Sequence, residues 1–406
     1  MKNPESYLSE TAARLRPSGI RKFFDLASNM EDVISLGVGE PDFVTPWGIR
    51  EAAIASLEEG YTSYTANAGL IELRREISVY LQKKIGVKYD AGQILVTIGA
   101  SQALDLAFRA MLNPGDEVLI IEPAFVSYAA LVTLAGGKPV TIPAPAENGF
   151  KITPEQLESA IGRRTKGILI CSPNNPTGTC FNKEELAALA EVIEKHDLIV
   201  ISDEIYGELT YDGEYASIAA IGGMKERTIV ISGFSKAFAM TGWRLGYAAG
   251  PKPWIQAMLK IHQYAAMCAP HMLQHGAMEA LRNHEEDVKK MRDSYRRRRN
   301  YLVAALNKIG LDCHMPGGAF YVFPSIQKTG LTSEAFAEEL LKKEKVAVVP
   351  GNAFGESGEG YIRCSYATSM EQLQEAIRRI ERFVGTLLPG KKGGNEGTAK
   401  AEYMNV

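Results

Sequence analysis

The chain has few cysteines, little net charge and no long apolar stretch. Its five cysteines are scattered at positions 171, 180, 268, 313 and 364, and no two of them form a Cys-x-x-Cys pair. An odd, scattered set predicts no disulfide framework, so we expect a reduced, cytoplasmic setting. The polar first residues, which lack the apolar core of a signal peptide, agree with that expectation.

The charge balance excludes several classes of partner. A formal net charge of −3 over 406 residues offers no basic excess for nucleic acid or an anionic membrane, and no apolar run approaches membrane-spanning length. The arginines at 296–299 resemble a nucleic-acid patch, but acidic residues precede them and their helical phase predicts a solvated helix face. His271 and His275 have the spacing of a zinc motif but lack its glutamate, so no metal is predicted.

Short apolar runs, separated by turns and helical stretches, recur along the chain. The five runs are 94–98, 118–121, 167–170, 198–201 and 228–231. They are too continuous for strands with one solvated face, so they predict central parallel strands covered on both faces. Amphipathic segments lie between them, and the alternation predicts a doubly wound α/β domain at residues 46–290. A long helix at about 288–309 leads into further elements up to residue 388.

Chemically active residues follow each of these runs. After 94–98 the chain opens a helix whose free N–H groups and dipole suit a phosphate. The residues of that turn are Gly99, Ala100, Ser101 and Gln102. The other four runs are followed, in order, by the aromatic ring of Phe125, the amide of Asn175, the carboxylate of Asp203 with the phenol of Tyr206, and the amine of Lys236. Because ligands of doubly wound sheets bind beyond the carboxyl ends of the strands, we expect these groups to converge.

Lys236 is the most informative of these residues. It follows an apolar strand, where an ammonium removed from water needs a partner. Desolvation lowers the pKa of a lysine, and the neutral amine can form a Schiff base with an aldehyde. Ser235 beside it and Arg244 eight residues later could hold a phosphate. The pattern indicates a cofactor with both groups, pyridoxal phosphate.

Four of the candidate site residues also have an ordinary structural explanation. Asp203 could cap a helix and Asn175 could be a turn residue. Ser101 could cap its own helix, and Arg363 could belong to a structural ion pair. Their joint occurrence at successive strand ends favours a binding site.

Motifs along most of the chain carry a family resemblance. They are 37–43 (Gly-Val-Gly-Glu-Pro-Asp-Phe), 175–178, 203–206, 235–236 with Arg244, and 361–366. From about residue 7 to residue 388 the chain resembles the fold type I pyridoxal-phosphate enzymes of the class I/II aminotransferase family, in particular the aspartate/aromatic subgroup. This implies a large domain with a doubly wound, mostly parallel sheet, at 46–290, and a smaller α/β domain formed by both chain ends, at 1–45 and 291–388. The polar tail at 389–406 is expected to be disordered.

The resemblance implies roles around the cofactor ring. Lys236 would bind the cofactor aldehyde and later move a proton. Asp203 would pair with the ring nitrogen, and Phe125 would stack on the ring. Tyr206 and Asn175 would hydrogen-bond the ring hydroxyl oxygen.

The resemblance also implies two anion sites. Arg363, with Asn175 and the backbone of Gly39, would bind the substrate α-carboxylate. The phosphate would be held by the turn before the first site helix, by Ser235 and Arg244, and by a tyrosine of the second subunit in a homodimer. Those residues are Gly99, Ala100, Ser101, Gln102, Ser235, Arg244 and Tyr64.

Three positions differ from many relatives. Gly233 stands where a serine is frequent, and Phe125 where tyrosine or tryptophan is frequent. Ser101 stands where the aspartate-specific relatives have a lysine for the distal carboxylate. We therefore expect a broad-range enzyme that prefers neutral or aromatic donors to aspartate, with 2-oxoglutarate as acceptor. Arg16 could compensate for the missing cation, and Ile20 offers an apolar surface.

The predicted function is amino transfer between an L-amino acid and a 2-oxo acid. A pyridoxal-phosphate β-lyase that acts on cysteine conjugates is an alternative, since the same site can expel a β-leaving group. A non-catalytic pyridoxal-phosphate sensor fused to a DNA-binding module is a remote one, because the roughly 45 residues before the large domain are too few for a winged helix-turn-helix.

Overall fold

Helices and strands alternate through most of the chain. The structure is a computed structural model, and it describes residues 3–15, 17, 19 and 30–388. The described residues form twelve strands, which are β1 (Ile34–Ser35), β2 (Ile94–Thr97), β3 (Glu117–Glu122), β4 (Lys138–Pro143), β5 (Thr165–Cys171), β6 (Ile199–Asp203), β7 (Thr228–Gly233), β8 (Gly246–Ala249), β9 (Tyr321–Val322), β10 (Val346–Ala347), β11 (Val349–Pro350) and β12 (Ile362–Ser365). They also form twelve α-helices, which are α1 (Glu10–Arg14), α2 (Trp47–Glu58), α3 (Ile71–Ile85), α4 (Gly99–Met111), α5 (Ser127–Leu134), α6 (Pro154–Ala160), α7 (Lys183–Lys195), α8 (Lys252–Ala265), α9 (His271–Asn283), α10 (Glu285–Ile309), α11 (Ser333–Glu344) and α12 (Met370–Leu387).

A seven-stranded sheet in the order β2-β8-β7-β6-β5-β3-β4 positions the candidate site. Neighbouring strands pair in parallel, except that β8 is antiparallel to β2 and β7. The five apolar runs are β2, β3, β5, β6 and β7, and most of their residues are buried because helices cover both faces. The predicted doubly wound, mostly parallel α/β fold is confirmed.

Two strands of this sheet are not among the predicted runs. β4 lies at an edge, is largely exposed and contains Pro139 and Pro143, a residue type that sheets admit mainly at edges. β8 consists of the four residues Gly-Tyr-Ala-Ala. The run is short and three of its residues are small, so it gives no apolar signal. Both strands depend on tertiary pairing, which a local pattern does not reveal.

Smaller pairings lie outside the large sheet. β9, β11 and β12 form an antiparallel sheet in the order β11-β12-β9, and β1 pairs in parallel with β10. A second hydrophobic core joins β1 to α10, α11 and α12. The long helix predicted at about 288–309 lies within α10, and apolar residues along it, including Tyr295 and Leu302, are buried. The domain limits at 45, 290 and 388 stay a prediction.

The predicted solvated arginine face on α10 was wrong for two of its four residues. Arg296 and Arg297 are exposed, but Arg299 is buried, with its Nη1 2.5 Å from an Asp212 carboxylate oxygen. Arg298 pairs with Asp42 at 2.8 Å. Because both aspartates are remote in sequence, the local charge pattern could not reveal that these arginines anchor loops.

Some predictions concern residues that the structure does not describe. The tail at 389–406 lies outside the described residues, as do Arg16 and Ile20. Within the described ranges, no helix is both long enough and apolar enough to span a bilayer. The cytoplasmic setting stays a prediction.

Candidate active site

The carboxyl ends of β5, β6 and β7 border a cavity of about 270 Å³. Eleven of the fourteen predicted site residues line it: Gly39, Ala100, Ser101, Phe125, Asn175, Asp203, Tyr206, Ser235, Lys236, Arg244 and Arg363. The exceptions are Gly99, Gln102 and Tyr64. The Gln102 amide oxygen accepts a hydrogen bond from the Ile98 N–H at 2.7 Å, so this side chain serves the helix start. Tyr64 is 78% exposed and does not line the cavity of its own chain.

Lys236 lines the cavity, just beyond the end of β7. Its Nζ donates to the Gly39 carbonyl at 2.6 Å and lies 5.9 Å from the centre of the Tyr206 ring. Burial lowers the pKa of the Lys236 ammonium to about 8; the Glu40 carboxylate opposes this shift, and the cations Arg363 and Arg244 add to it. The amine is therefore partly neutral, and nucleophilic, at moderately alkaline pH.

Asp203, at the end of β6, is a buried carboxylate with neutral donors. Its Oδ2 accepts from the Tyr128 hydroxyl at 2.7 Å, and its Oδ1 from the Ile205 N–H at 3.2 Å. Burial raises the pKa of Asp203, and the hydrogen bond from Tyr128 opposes that rise. A cationic group in the cavity next to this carboxylate would stabilise its ionised form.

The start of α4 forms a cradle suited to an anion. The N-cap residue Ile98 makes no side-chain hydrogen bond to the first turn, so no cap competes for its N–H groups. Arg244 approaches so closely that a Cβ on Gly99, whose φ is +78°, would lie 2.6 Å from the arginine Nη2. The cradle thus combines backbone donors, a helix dipole and a guanidinium.

Two glycines allow β7, β8 and α4 to approach one another. Gly233 pairs with Gly246 across β7 and β8, and a Cβ on Gly233 would lie 2.8 Å from the Gly246 Cα. A Cβ on Gly246 would lie 2.6 Å from the Ala100 nitrogen. In the sequence, Gly233 is notable only because many relatives have a serine at this position. In the structure, a serine at position 233 would require the backbone to shift.

Arg363, on β12, brings a second guanidinium to the cavity. Its Nη1 donates to Asn175 Oδ1 at 2.9 Å and its Nη2 to the Gly37 carbonyl at 2.7 Å. Its planar group lies 4.4 Å from the centre of the Tyr321 ring and 4.9 Å from that of Phe354. Nε is buried without a hydrogen-bond partner among the described residues. The guanidinium is therefore held rigidly, in a position to bind a carboxylate.

The sequence profile of the family "Aminotransferase class I and II" matches residues 31–380. The chain belongs to the class I and II aminotransferases. It is 66% identical over 380 residues to YugH of Bacillus subtilis (strain 168), whose name gives aminotransferase without a substrate, with 93% of this chain and 98% of that protein covered.

Two further relatives of this aminotransferase are named for different substrates. It is 48% identical over 381 residues to an aspartate aminotransferase of Pyrococcus abyssi, with 93% of this chain and 98% of that protein covered. The crystal structure of an aromatic aminotransferase from Pyrococcus horikoshii OT3 matches with a TM-score of 0.86 at 47% identity, covering 90% of this chain and 99% of that chain. The predicted fold type I family and the aminotransferase activity are confirmed. The sequence identity to the aspartate enzyme and to the aromatic enzyme is nearly the same, so identity alone favours neither substrate.

Five residues of the aminotransferase line the cavity without having been predicted to do so: Leu104, Tyr128, Ile205, Thr241 and Tyr321. Tyr128 bonds Asp203, and the only sequence signal for it is its position three residues after Phe125. Tyr321 lies inside the apolar run 318–323, where it reads as one more strand residue. The hydroxyl groups of both residues act through partners far away in the sequence.

Proposed function

We propose that this aminotransferase holds pyridoxal phosphate at Lys236 and exchanges an amino group between an L-amino acid and a 2-oxo acid. The observation that carries the proposal is the meeting of one partly neutral amine, one buried carboxylate and two arginines in one cavity. The two guanidinium groups suit two anions, a phosphate and an α-carboxylate. The amine suits the aldehyde between them.

The residues around the cavity fit this cofactor. The open first turn of α4, with Ser235 and Arg244, would hold the phosphate, and Phe125 would cover the ring. Asp203 would pair with a protonated ring nitrogen, which compensates the burial of its charge. Tyr206 and Asn175 would donate to the ring hydroxyl oxygen.

Bound pyridoxal phosphate supplies an electron sink for the α-carbon of the substrate. The chain's own residues supply the rest. Arg363 would bind the α-carboxylate, with Asn175 and Gly39 beside it, and so fix the α-carbon next to Lys236. The Lys236 amine would move the proton at that carbon, because a pKa of about 8 makes it an effective base near neutral pH.

A half-reaction tests the chemistry. The purified enzyme, given an amino acid and no acceptor, should release about one equivalent of the matching 2-oxo acid per site and change the visible absorbance of the bound cofactor. Catalytic turnover without acceptor, accompanied by loss of a β-substituent, would instead show lyase chemistry. No feature of the described residues favours that alternative.

Support for a homodimer comes from exposed apolar side chains. Among these are Trp47, Ile54 and Leu57 on α2, Tyr61 and Tyr64 after it, and Tyr264 and Met267 at the end of α8. The Asn67 side chain donates to the Met267 carbonyl at 2.9 Å, so the loop that follows α2 adjoins the end of α8. Monomeric surfaces rarely expose such a patch. We propose that a second subunit covers it and that Tyr64 of the partner subunit reaches the phosphate.

We further propose a broad donor range with a preference for neutral and aromatic amino acids such as alanine, phenylalanine and tyrosine, and 2-oxoglutarate as acceptor. The cavity walls include Leu104 and Ile205, which suit an apolar or aromatic side chain. Ser101 is neutral, and Arg244 and Arg363 are assigned to the phosphate and the α-carboxylate. A distal carboxylate therefore finds no further arginine among the described residues of the cavity.

Substitution of Ser101 tests this range. In Ser101→Lys, kcat/KM for aspartate should rise by about tenfold or more relative to phenylalanine, since one charge-assisted hydrogen bond contributes about 1.5–3 kcal/mol. Ser101→Ala, which adds no charge, is the matched control. A wild type that already prefers aspartate by orders of magnitude and does not respond to lysine would show that other residues face the substrate side chain.

A further inference from the structure

Tyr321 connects two parts of the site that have separate roles in the proposed function. It is 1% exposed, and its hydroxyl oxygen lies 2.8 Å from that of Tyr206. Its ring lies under the guanidinium of Arg363, 4.4 Å from ring centre to Cζ. A Cβ on Gly39 would lie 2.9 Å from the Tyr321 hydroxyl, so a side chain at Gly39 would displace that hydroxyl.

We propose that Tyr321 is a positioning residue with two separable functions: its hydroxyl strengthens Tyr206 as a hydrogen-bond donor, and its ring holds Arg363 in place for the substrate carboxylate. The inference rests on the proposed function, since it assumes that Tyr206 faces the cofactor ring hydroxyl and that Arg363 binds the substrate. It adds a residue that neither contacts the reacting atoms nor occurs in the family motifs described above.

The direction of the tyrosine–tyrosine hydrogen bond follows from proton counting. Either hydroxyl can donate in the bond between Tyr206 and Tyr321. A tyrosine has one hydroxyl proton, so once Tyr206 donates to the cofactor oxygen, only Tyr321 can donate between the two. A donor that itself accepts a hydrogen bond is polarised and donates more strongly. Tyr206 then stabilises negative charge on the cofactor oxygen better, which lowers the pH at which the lysine-bound cofactor loses its proton.

The ring of Tyr321 acts on the other half of the site. The edge of the Arg363 guanidinium is held by the Asn175 side chain and the Gly37 carbonyl. The rings of Tyr321 and Phe354 also pack against it, 4.4 Å and 4.9 Å from ring centre to Cζ. Removal of the Tyr321 ring leaves the hydrogen bonds but removes one of the two ring contacts, and with it a restraint on the angle at which Arg363 meets a carboxylate.

Two substitutions separate these functions. Tyr321→Phe keeps the ring and removes the hydroxyl, so the pH midpoint of the cofactor's visible absorbance should rise by about 0.1 to 0.7 pH unit, which is about 10–30% of one charge-assisted hydrogen bond. The KM for the amino acid should stay near that of the wild type. Tyr321→Leu should show the same rise and, in addition, raise this KM by about two- to thirtyfold.

A double substitution tests whether the Tyr321 hydroxyl acts on the cofactor through Tyr206. Tyr206→Phe alone should raise the midpoint more than Tyr321→Phe, and adding Tyr321→Phe to Tyr206→Phe should cause no further shift, because the hydroxyl acts only through Tyr206. Additive shifts, an unchanged midpoint in Tyr321→Phe, or an equal rise in KM for Phe and Leu would overturn the inference. A wild type without the cofactor absorbance would remove the proposed function itself, and this inference with it, before any variant is compared.

Discussion

Replacement of Arg363 by lysine should reduce recognition of the substrate α-carboxylate while leaving the charge in place. The arginine uses Nη1 on Asn175 at 2.9 Å and Nη2 on Gly37 at 2.7 Å. A planar fork can keep these contacts and still donate to a carboxylate, whereas a single amine has no fork and no flat face to pack on the rings of Tyr321 and Phe354. The substitution therefore tests geometry rather than charge.

The magnitude follows from the lost contact. One charge-assisted hydrogen bond in a buried site contributes about 1.5–3 kcal/mol, so kcat/KM should fall by about ten- to two-hundredfold. The loss should appear with an amino acid and not with its amide. The amide lacks the carboxylate, so it is a poor substrate of the wild type and has no such contact to lose. Arg378→Lys, at an exposed ion pair with Glu375 on α12, is the matched control and should behave as wild type.

Steady-state kinetics on the acid and amide pair decide the outcome. An equal fall for both substrates would mean that Arg363 maintains the fold of the site instead of binding the carboxylate. Unchanged kinetics with the acid would show that the carboxylate binds elsewhere, and either result would refute the assignment.

Three further predictions concern the amine, the dimer and the close backbone approach. In the apoenzyme, the rate at which Lys236 binds pyridoxal phosphate should rise with pH through a midpoint of about 8 and then level off, because burial favours the neutral amine. A rate that still rises above about pH 10 would contradict that effect of burial. Inactive Lys236→Ala chains mixed with Tyr64→Phe chains should regain activity, since only the heterodimer pairs an intact lysine with an intact tyrosine from the other subunit, and no gain over either parent would argue against a shared site. Gly246→Ala places a methyl group 2.6 Å from the Ala100 nitrogen, so it should lower the unfolding free energy by about 1–3 kcal/mol and weaken cofactor retention. The control Gly242→Ala, where a Cβ meets no atom within 4 Å, should do neither, and equal effects of the two substitutions would count against the steric explanation.

Local patterns predicted the parts of the fold that depend on local burial. The run before Lys236 became β7 and the run before Asp203 became β6, because a strand covered on both faces is apolar at every position. β8 was not predicted: all four of its residues are buried, but the run is short, and its first residue, Gly246, is there because α4 approaches closely. The edge strand β4 likewise depends on its neighbour β3.

The site was predictable where residues stand at strand ends, and not where long-range contacts define a role. Tyr321 meets Tyr206 across 115 positions, and Arg298 meets Asp42 across 256. Neither pair has a spacing signature, because the contact exists only after the chain has folded. Gln102 shows the reverse case, in which a residue of the right type in the right turn directs its side chain to the backbone instead.

Covalent mapping of the cofactor tests the central claim most directly. Native enzyme is reduced with borohydride, and the site of attachment is found by intact mass and peptide analysis. One pyridoxal phosphate per chain, on the peptide that contains Lys236, is the predicted result, and a folded Lys236→Ala chain should carry none. Attachment at a different lysine, or no attachment in the wild type, would contradict the assignment of Lys236 as the residue that holds the cofactor.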